Sequence, residues 1–172
     1  DRWGDVLRNE LASRQIEMSG VVASSRPTIV KTRVIAHHQQ VVRVDREQQE
    51  PIPPGAVDRL IHAVTERLDQ ADAVIIEDYG KGVICRRLLE AVIPIARRRG
   101  KLITVDPKED HFDLSRRGTA LTPNRAEAGA AVGRELESDV DVARAGGELL
   151  RKLECEGVLI TLGEDGMSLF ER

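Results

Sequence analysis

The pattern of apolar and polar residues divides the chain at a proline-rich segment, residues 51–55. Before it, residues 28–36 and 41–45 are rich in β-branched side chains, and their apolar residues partly alternate with polar ones. This pattern is typical of strands. We therefore expect an antiparallel ribbon over residues 28–46, although the HHQQ between the two runs lacks the Gly or Asn typical of a tight turn.

After the proline-rich segment, stretches with helical spacing of apolar residues alternate with short apolar runs. The predicted strands are AVII at 73–76, LITVD at 102–106, TALT at 119–122 and VLITL at 158–162. The predicted helices lie around Val57–Leu68 and Leu88–Ala96, after Asn124, and over Val140–Leu153. This alternation indicates an α/β fold with a mostly parallel sheet, covered by helices on both faces. The closing GMSLFE predicts one antiparallel strand after a turn at Gly163–Gly166.

Composition narrows the class of protein. Hydrophobic residues make up 41% and charged residues 32% of the 172 residues, a balance typical of a globular domain. The net charge of −3 and the 2% of aromatic residues argue against a nucleic-acid-binding surface. No apolar run approaches the ~18–20 residues of a membrane span. We expect a soluble cytoplasmic domain, with neither nucleic acid nor membrane as a partner.

The histidines and cysteines do not indicate a metal centre. His37 and His38 are adjacent, without a third ligand at metal spacing, so a polar turn is the preferred interpretation. His62 and His111 are isolated, and we expect them to be structural or solvated. Two cysteines are too few for a disulfide framework or a zinc site.

Candidate chemistry lies in the loops that follow the predicted strands, because open parallel sheets bind ligands at the carboxyl ends of their strands. These loops are EDYGKG at 77–82, DPKED at 106–110, TPNRAE at 122–127 and TLGEDG at 161–166. In the first loop, the glycines permit a close backbone approach and Lys81 offers a cation to a phosphate. An ordinary glycine-rich turn with a solvated lysine is the alternative. The second loop, with Asp106 beside Lys108, suits hydroxyl and phosphate recognition but has a common composition.

The third loop has two interpretations. Asn124 and Glu127 are spaced as a variant of the helix capping box, which is a purely structural role. The same residues at a helix N-terminus could bind magnesium and phosphates. In the fourth loop, Thr161 and Gly163 suit a nucleotide's phosphates or ribose. A simple hairpin turn is the alternative there.

Six segments in this order resemble the ribokinase-like family of carbohydrate kinases, in particular its members that act on heptose 7-phosphate. They are IVKTRVIA, QQVVRVDRE, EDYGKGVI, VDPK, LTPNRAE and TLGEDGMSLF, and the resemblance covers the whole chain. It implies a three-layer α/β/α sandwich with a mostly parallel sheet and a small β lid, formed by the ribbon at 28–46. It also implies ATP and Mg²⁺ as cofactors.

The resemblance further implies the roles of individual residues. The residues implied to bind ATP are Asn124, Arg125, Ala126, Glu127, Thr161 and Gly163, with Glu127 as the metal ligand. The residues implied to bind the phosphosugar are Arg33, Gln40, Arg43, Asp78, Lys81 and Lys108. The implied reaction is phosphorylation of D-glycero-β-D-manno-heptose 7-phosphate at O1, a step toward ADP-heptose and the lipopolysaccharide core. A homodimer formed through the lid and a fused nucleotidyltransferase domain are the implied partners.

Two motifs of the family do not occur in residues 1–172: its N-terminal glycine-rich sugar-binding segment and its GAGD motif, which supplies the catalytic aspartate. We expect that aspartate to lie beyond Arg172, so the resemblance assigns no catalytic residue within residues 1–172. We therefore expect a partial kinase domain, with the lid at 28–46 and the nucleotide-binding part at 55–172, that is inactive alone. Two alternatives stay open. The chain could come from another sugar or nucleoside kinase of the family, or from a non-catalytic binding module on this fold.

Overall fold

The strands form two separate sheets, a two-stranded ribbon and a larger five-stranded sheet. The computed structural model describes the backbone of residues 1–172 and the side chains of residues 1–108 and 111–172. The strands are β1 Val30–Ala36, β2 Gln39–Arg46, β3 Ala73–Glu77, β4 Leu102–Asp106, β5 Ala120–Leu121, β6 Gly157–Thr161 and β7 Met167–Glu171. The α-helices are α1 Arg2–Ser13, α2 Pro54–Arg67, α3 Arg86–Arg98, α4 Arg125–Val132 and α5 Asp139–Leu153. Three short 3₁₀ helices cover Leu68–Gln70, Glu109–Ser115 and Gly163–Asp165.

The larger sheet has the strand order β3-β4-β5-β6-β7. Strands β3 to β6 are parallel, and β7 pairs antiparallel with β6, as the sequence predicts. Each parallel connection contains a helix or a 3₁₀ turn, so the strands end at one edge. That edge carries all four candidate loops.

Helices α3 and α5 pack against the same face of this sheet. Alternate strand residues such as Ile103, Val105 and Ile160 are buried against α3 and α5. Full burial of a side chain of this size contributes about 1.5–3 kcal/mol. Helix α5 lies very close to β7, since a Cβ added to Gly146 would lie 2.2 Å from the Phe170 ring. A glycine is therefore required at this crossing.

The prediction that AVII forms a buried strand is wrong in part. Val74 and Ile76 face the helices, whereas Ile75 is 70% exposed. Strand β3 lies at the edge of the sheet, and its alternate residues point to the face that α2 to α5 leave open. Leu102 and Leu169 are exposed on that same face within the described residues. Whether both faces of an apolar strand are buried depends on the elements that pack against the sheet, and the sequence of the strand does not show these.

The ribbon predicted for residues 28–46 is confirmed as the antiparallel pair β1 and β2. His37 and His38 form its two-residue turn with φ values of 47° and 67°. Both values are positive, as a type I′ turn requires, and His tolerates this region better than most residues. The turn is therefore tight although it lacks Gly and Asn.

Two further features were not predicted. Helix α1 has no buried residue in the described structure, although its apolar residues Trp3, Leu7 and Leu11 recur at helical spacing. The proline-rich segment does not stay outside the helices, because Pro54 and Gly55 begin α2. Proline is favoured in the first helical turn, where its missing N–H costs no hydrogen bond. No helix in the described part of the chain combines the length and apolarity needed to cross a bilayer.

Candidate active site

Backbone hydrogen bonds align the four loops at the carboxyl edge of the sheet. The Asp78 N–H donates to Asp106 O at 3.1 Å, which joins the first loop to the second. The Thr122 N–H donates to Val105 O at 3.0 Å, and the Thr161 N–H donates to Pro123 O at 2.9 Å. The loops therefore lie side by side in the order β3, β4, β5, β6.

Asn124 and Glu127 form a complete capping box at the start of α4. Asn124 Oδ1 accepts from the Glu127 N–H at 2.9 Å, and the Asn124 N–H donates to Glu127 Oε2 at 2.8 Å. The structural interpretation of the pair is thus confirmed. Both residues are accessible, and Glu127 Oε1 has no hydrogen-bond partner among the described residues. One carboxylate oxygen is left for a ligand.

The other residues assigned to the nucleotide surround this box. Thr161 forms a parallel bridge with Asn124, and Gly163 follows it with a φ of 67°. The Arg125 guanidinium pairs with Asp165 at 3.1 Å, so its charge is partly neutralised. Ala126 lines a groove of about 690 Å³ beside α4. The structure therefore brings Asn124, Glu127, Thr161 and Gly163 together.

Asp78 lies in the first predicted loop, and its side chain is only 3% exposed. Its Oδ1 accepts from the Gly80 N–H at 2.8 Å, and its Oδ2 lies 2.5 Å from His111 Nδ1. An ionised carboxylate only accepts hydrogen bonds, so Nδ1 is the donor. The Asp78 carboxylate is thus held by two hydrogen bonds, and its partner His111 is a residue to which sequence analysis assigns no function.

Lys81 joins the ribbon to the sheet. Its Nζ lies 2.5 Å from Glu47 Oε1, just after the end of β2, and Arg26 donates to the Lys81 carbonyl at 2.7 Å. The hydrogen bond from Lys81 is the main cause of a lowered pKa at Glu47. Lys31 of β1 lies 4.0 Å from the other Glu47 oxygen. Lys81 therefore anchors the ribbon and presents little free charge.

Lys108 lies against the first loop. A Cβ added to Gly80 would lie 3.4 Å from Lys108 Cδ and Cε, so the aliphatic part of the lysine covers this glycine. Lys108 itself is exposed. The side chains of Glu109 and Asp110, which belong to the second predicted loop, lie outside the described residues.

The ribbon has one charged face. Arg33 and Arg43 are direct partners in the ladder, so their Cβ atoms lie about 4.5–5.5 Å apart on the same face. Lys31 and Asp45 are the next pair on this face. The register shifts after Val34, where Val41 is the extra residue of a bulge, and the shift brings Gln40 onto the charged face.

A cavity of about 330 Å³ lies between the ribbon and the first loop. Lys31 contributes to it from the charged face, and Asp78 and Lys81 contribute from the loop. Tyr79 and Val83 add apolar surface. Lys31 of the ribbon and the first loop therefore line one cavity, while Arg33 and Arg43 lie farther along the charged face and the capping box and β6 loop lie farther along the sheet edge.

Arg172, the residue beyond which the catalytic aspartate is expected, does not belong to the candidate site. It follows β7, whose last residue Glu171 pairs with Gly157 at the start of β6. Arg172 therefore lies at the edge of the sheet opposite the four loops. Its N–H donates to Glu156 O at 3.2 Å, and its guanidinium donates to Leu150 O at 3.2 Å. These bonds give Arg172 a structural role, and the position of the catalytic aspartate stays a prediction.

Comparison with known proteins identifies the family to which this chain belongs. The family model of the pfkB family carbohydrate kinases matches residues 1–172. The chain belongs to this family, which confirms the resemblance seen in the motifs. A bifunctional protein HldE of Geobacter metallireducens is 39% identical over 173 residues, and the match covers 100% of this chain and 35% of that protein. The chain thus spans about a third of the length of this curated relative.

Solved structures confirm the ribokinase-like α/β fold. Phosphofructokinase-2 from Escherichia coli, in complex with fructose-6-phosphate, matches with a TM-score of 0.71 at 20% identity, over 98% of this chain and 56% of that chain. Its tetrameric inhibited form has a TM-score of 0.73. Ribokinase from Giardia lamblia matches with a TM-score of 0.69 at 16% identity, over 99% of this chain and 52% of that chain.

Proposed function

We propose that this chain forms the nucleotide-binding and sugar-binding part of an ATP-dependent kinase that phosphorylates D-glycero-β-D-manno-heptose 7-phosphate at O1. Membership of the pfkB family supports a carbohydrate kinase. The 39% identity to an HldE protein favours a heptose-phosphate substrate and a role in ADP-heptose formation for lipopolysaccharide. A second, nucleotidyltransferase, domain in the same polypeptide is part of this proposal, since that relative is named bifunctional.

The pairing of Arg33 with Arg43 is the observation that carries the proposal. Like charges directly opposite each other in a ladder destabilise it, and here the Asp45 carboxylate, 3.1 Å from Arg43 Nε, is one carboxylate beside two guanidinium groups. Two guanidinium groups on one face have the geometry to bind a phosphate with several charge-assisted hydrogen bonds. Because Lys31 on the same face lines the cavity, a phosphosugar is a better ligand for it than an unphosphorylated sugar.

Magnesium and ATP fit the residues at the start of α4. Glu127 Oε1, which has no partner among the described side chains, and the Asn124 amide are oxygen ligands of the kind that Mg²⁺ prefers. We propose that these two residues hold the metal and nearby phosphate oxygens, with Thr161 and Gly163 close to the nucleotide. The ion would offset the negative charge of the transferred phosphoryl group.

The apolar face of the ribbon supports a homodimer. Val34, Val42 and Val44 lie opposite the arginine face and are exposed. We propose that this face pairs with that of a second copy, and the tetrameric form of a solved relative is consistent with this. Val42→Asp in the full-length protein should shift the molar mass from dimer to monomer in light scattering. A dimer unaffected by the substitution would contradict this part of the proposal.

The test of the substrate compares two arginines of the ribbon in the full-length protein. Arg33→Gln should raise KM for heptose 7-phosphate about 10–100-fold, because a hydrogen bond to a charged group contributes about 1.5–3 kcal/mol. Arg46→Gln is the matched control, since Arg46 lies on the opposite face. KM for ATP should change in neither variant.

The outcome separates the alternatives. Faster wild-type turnover of fructose 6-phosphate or of an unphosphorylated sugar would favour another kinase of the family. Binding of the sugar phosphate without any turnover in the full-length protein would favour a non-catalytic module. Equal effects of the two arginine substitutions would contradict the phosphate site.

A further inference from the structure

The pair formed by Asp78 and His111 is the best-enclosed polar contact near the cavity. Asp78 is almost completely buried, and a buried carboxylate is stable only when hydrogen bonds replace its lost hydration. The Gly80 N–H supplies one of these bonds, and His111 Nδ1 supplies the other. The two donors come from different loops, one after β3 and one after β4.

The contact determines the course of the first loop. The bond from the Gly80 N–H to Asp78 closes a two-residue turn, in which Gly80 has a φ of 63°. Lys81 follows this glycine directly and extends to Glu47 at the base of the ribbon. Lys108 lies over the same glycine. A shift of Asp78 would therefore displace Lys81, which lines the cavity, and Lys108, which packs over Gly80.

The backbone of His111 is also hydrogen-bonded within the segment that follows β4. Its backbone N–H donates to the Lys108 carbonyl at 2.8 Å, so the backbone of Lys108 and the ring of His111 belong to one short turn. The ring thus joins the segment that carries Lys108 to the loop that carries Lys81. No other side-chain hydrogen bond between these two loops occurs among the described side chains.

We propose that His111 is a positioning residue for the phosphosugar half of the site, acting through Asp78 to hold Lys81 and Lys108 in place. This inference rests on the proposed function, because it assigns the role to the binding of a sugar phosphate. His111 touches no reacting atom in this assignment. Its substitution should affect binding of the phosphosugar and leave ATP binding, at the α4 and β6 loops, unchanged.

The experiment uses the full-length protein and three variants. His111→Ala should raise KM for heptose 7-phosphate roughly 10-fold and leave KM for ATP within about twofold, since one hydrogen bond to a charged group is lost. His111→Asn should restore most of the wild-type KM, because the Asn amide can donate from nearly the position of Nδ1. His62→Ala is the control, since His62 is exposed on α2 and pairs with Glu66 of the same helix.

A second measurement does not depend on activity. Amide hydrogen exchange of residues 78–82 should be faster in His111→Ala and close to wild type in His111→Asn. In a double-mutant cycle, His111→Ala should add little to the effect of Asp78→Ala, because both substitutions remove the same contact. If His111→Ala fails to fold, the Asn variant and the cycle still test the contact.

The outcomes distinguish the two proposals. Unchanged exchange, equal increases in KM for both substrates, or additive effects in the cycle would overturn the role of His111 alone. A wild-type protein that phosphorylates a different sugar phosphate would overturn the assigned substrate, while the ratio of KM values for that sugar would still test His111. Absence of turnover with every sugar phosphate would overturn both.

Discussion

Two helices of this protein begin with the same local device. At the start of α4, Asn124 and Glu127 form a capping box, and at the start of α5, Ser138 and Asp141 form another. In both boxes the first side chain accepts the N–H of the fourth residue, and the carboxylate accepts the N–H of the first. The local geometry therefore does not distinguish a cap from a ligand site.

The boxes differ in the number of hydrogen bonds that the carboxylate accepts within the cap. Asp141 Oδ2 accepts from both the Ser138 hydroxyl at 2.6 Å and the Ser138 N–H at 3.1 Å, and these bonds lower the pKa of Asp141. Glu127 accepts a single bond. Asn124 is also bridged to Thr161 at the end of β6. The position beside a strand end, rather than the motif itself, thus marks the box that we assign to a ligand.

The largest expected difference between the boxes concerns turnover. Glu127→Gln in the full-length protein should keep the fold, because glutamine still serves a capping box. It should lower kcat by about 10²-fold and weaken the magnesium dependence, since the charge at the proposed metal site is lost. Asp141→Asn should change kcat less than about twofold. Magnesium titrations of activity, together with thermal melts of both variants, would check this. If the kinetics of both variants are unchanged, the first box serves only as a helix cap.

A smaller difference concerns stability. Asn124→Ala and Ser138→Ala should each lower the free energy of unfolding by about 0.5–2 kcal/mol, because each removes a side-chain cap. Only Asn124→Ala should also raise KM for ATP. Urea unfolding and steady-state kinetics on the same preparations would measure both effects. A rise in KM for ATP with Ser138→Ala would show that the boxes are not functionally distinct.

The smallest expected effect is a pH dependence that belongs to the second box. The lowered pKa of Asp141 means that its contribution to stability is complete above the ordinary value of 3.8. That contribution is lost as the pH falls through the lowered pKa, because the unfolded carboxyl binds a proton first. Asp141→Asn should therefore lose less stability than wild type over this acidic range, as measured by urea unfolding at each pH. Parallel curves for the two proteins would argue against the assigned hydrogen bonds.

Features with local signals were predicted correctly from the sequence. The ribbon, the individual strands of the sheet and the Asn124–Glu127 cap each have a signal in residues that are close in the chain. The contacts that organise the first loop could not be predicted in this way. Lys81 and Glu47 are 34 positions apart, and His111 and Asp78 are 33 apart. No periodicity relates such residues, so only the assembled fold brings them together.

The bulge at Val41 has a consequence for how this surface can change in evolution. In a strand, side chains alternate between faces, so one inserted residue would reverse the side of every residue beyond it unless a bulge absorbs it. Deleting Val41 would close the bulge and leave Gln40 opposite Ile35, on the face of the two arginines. A change in chain length of a single codon can thus be absorbed near the ribbon tip, while the Arg33–Arg43 pair further down the ladder keeps its register.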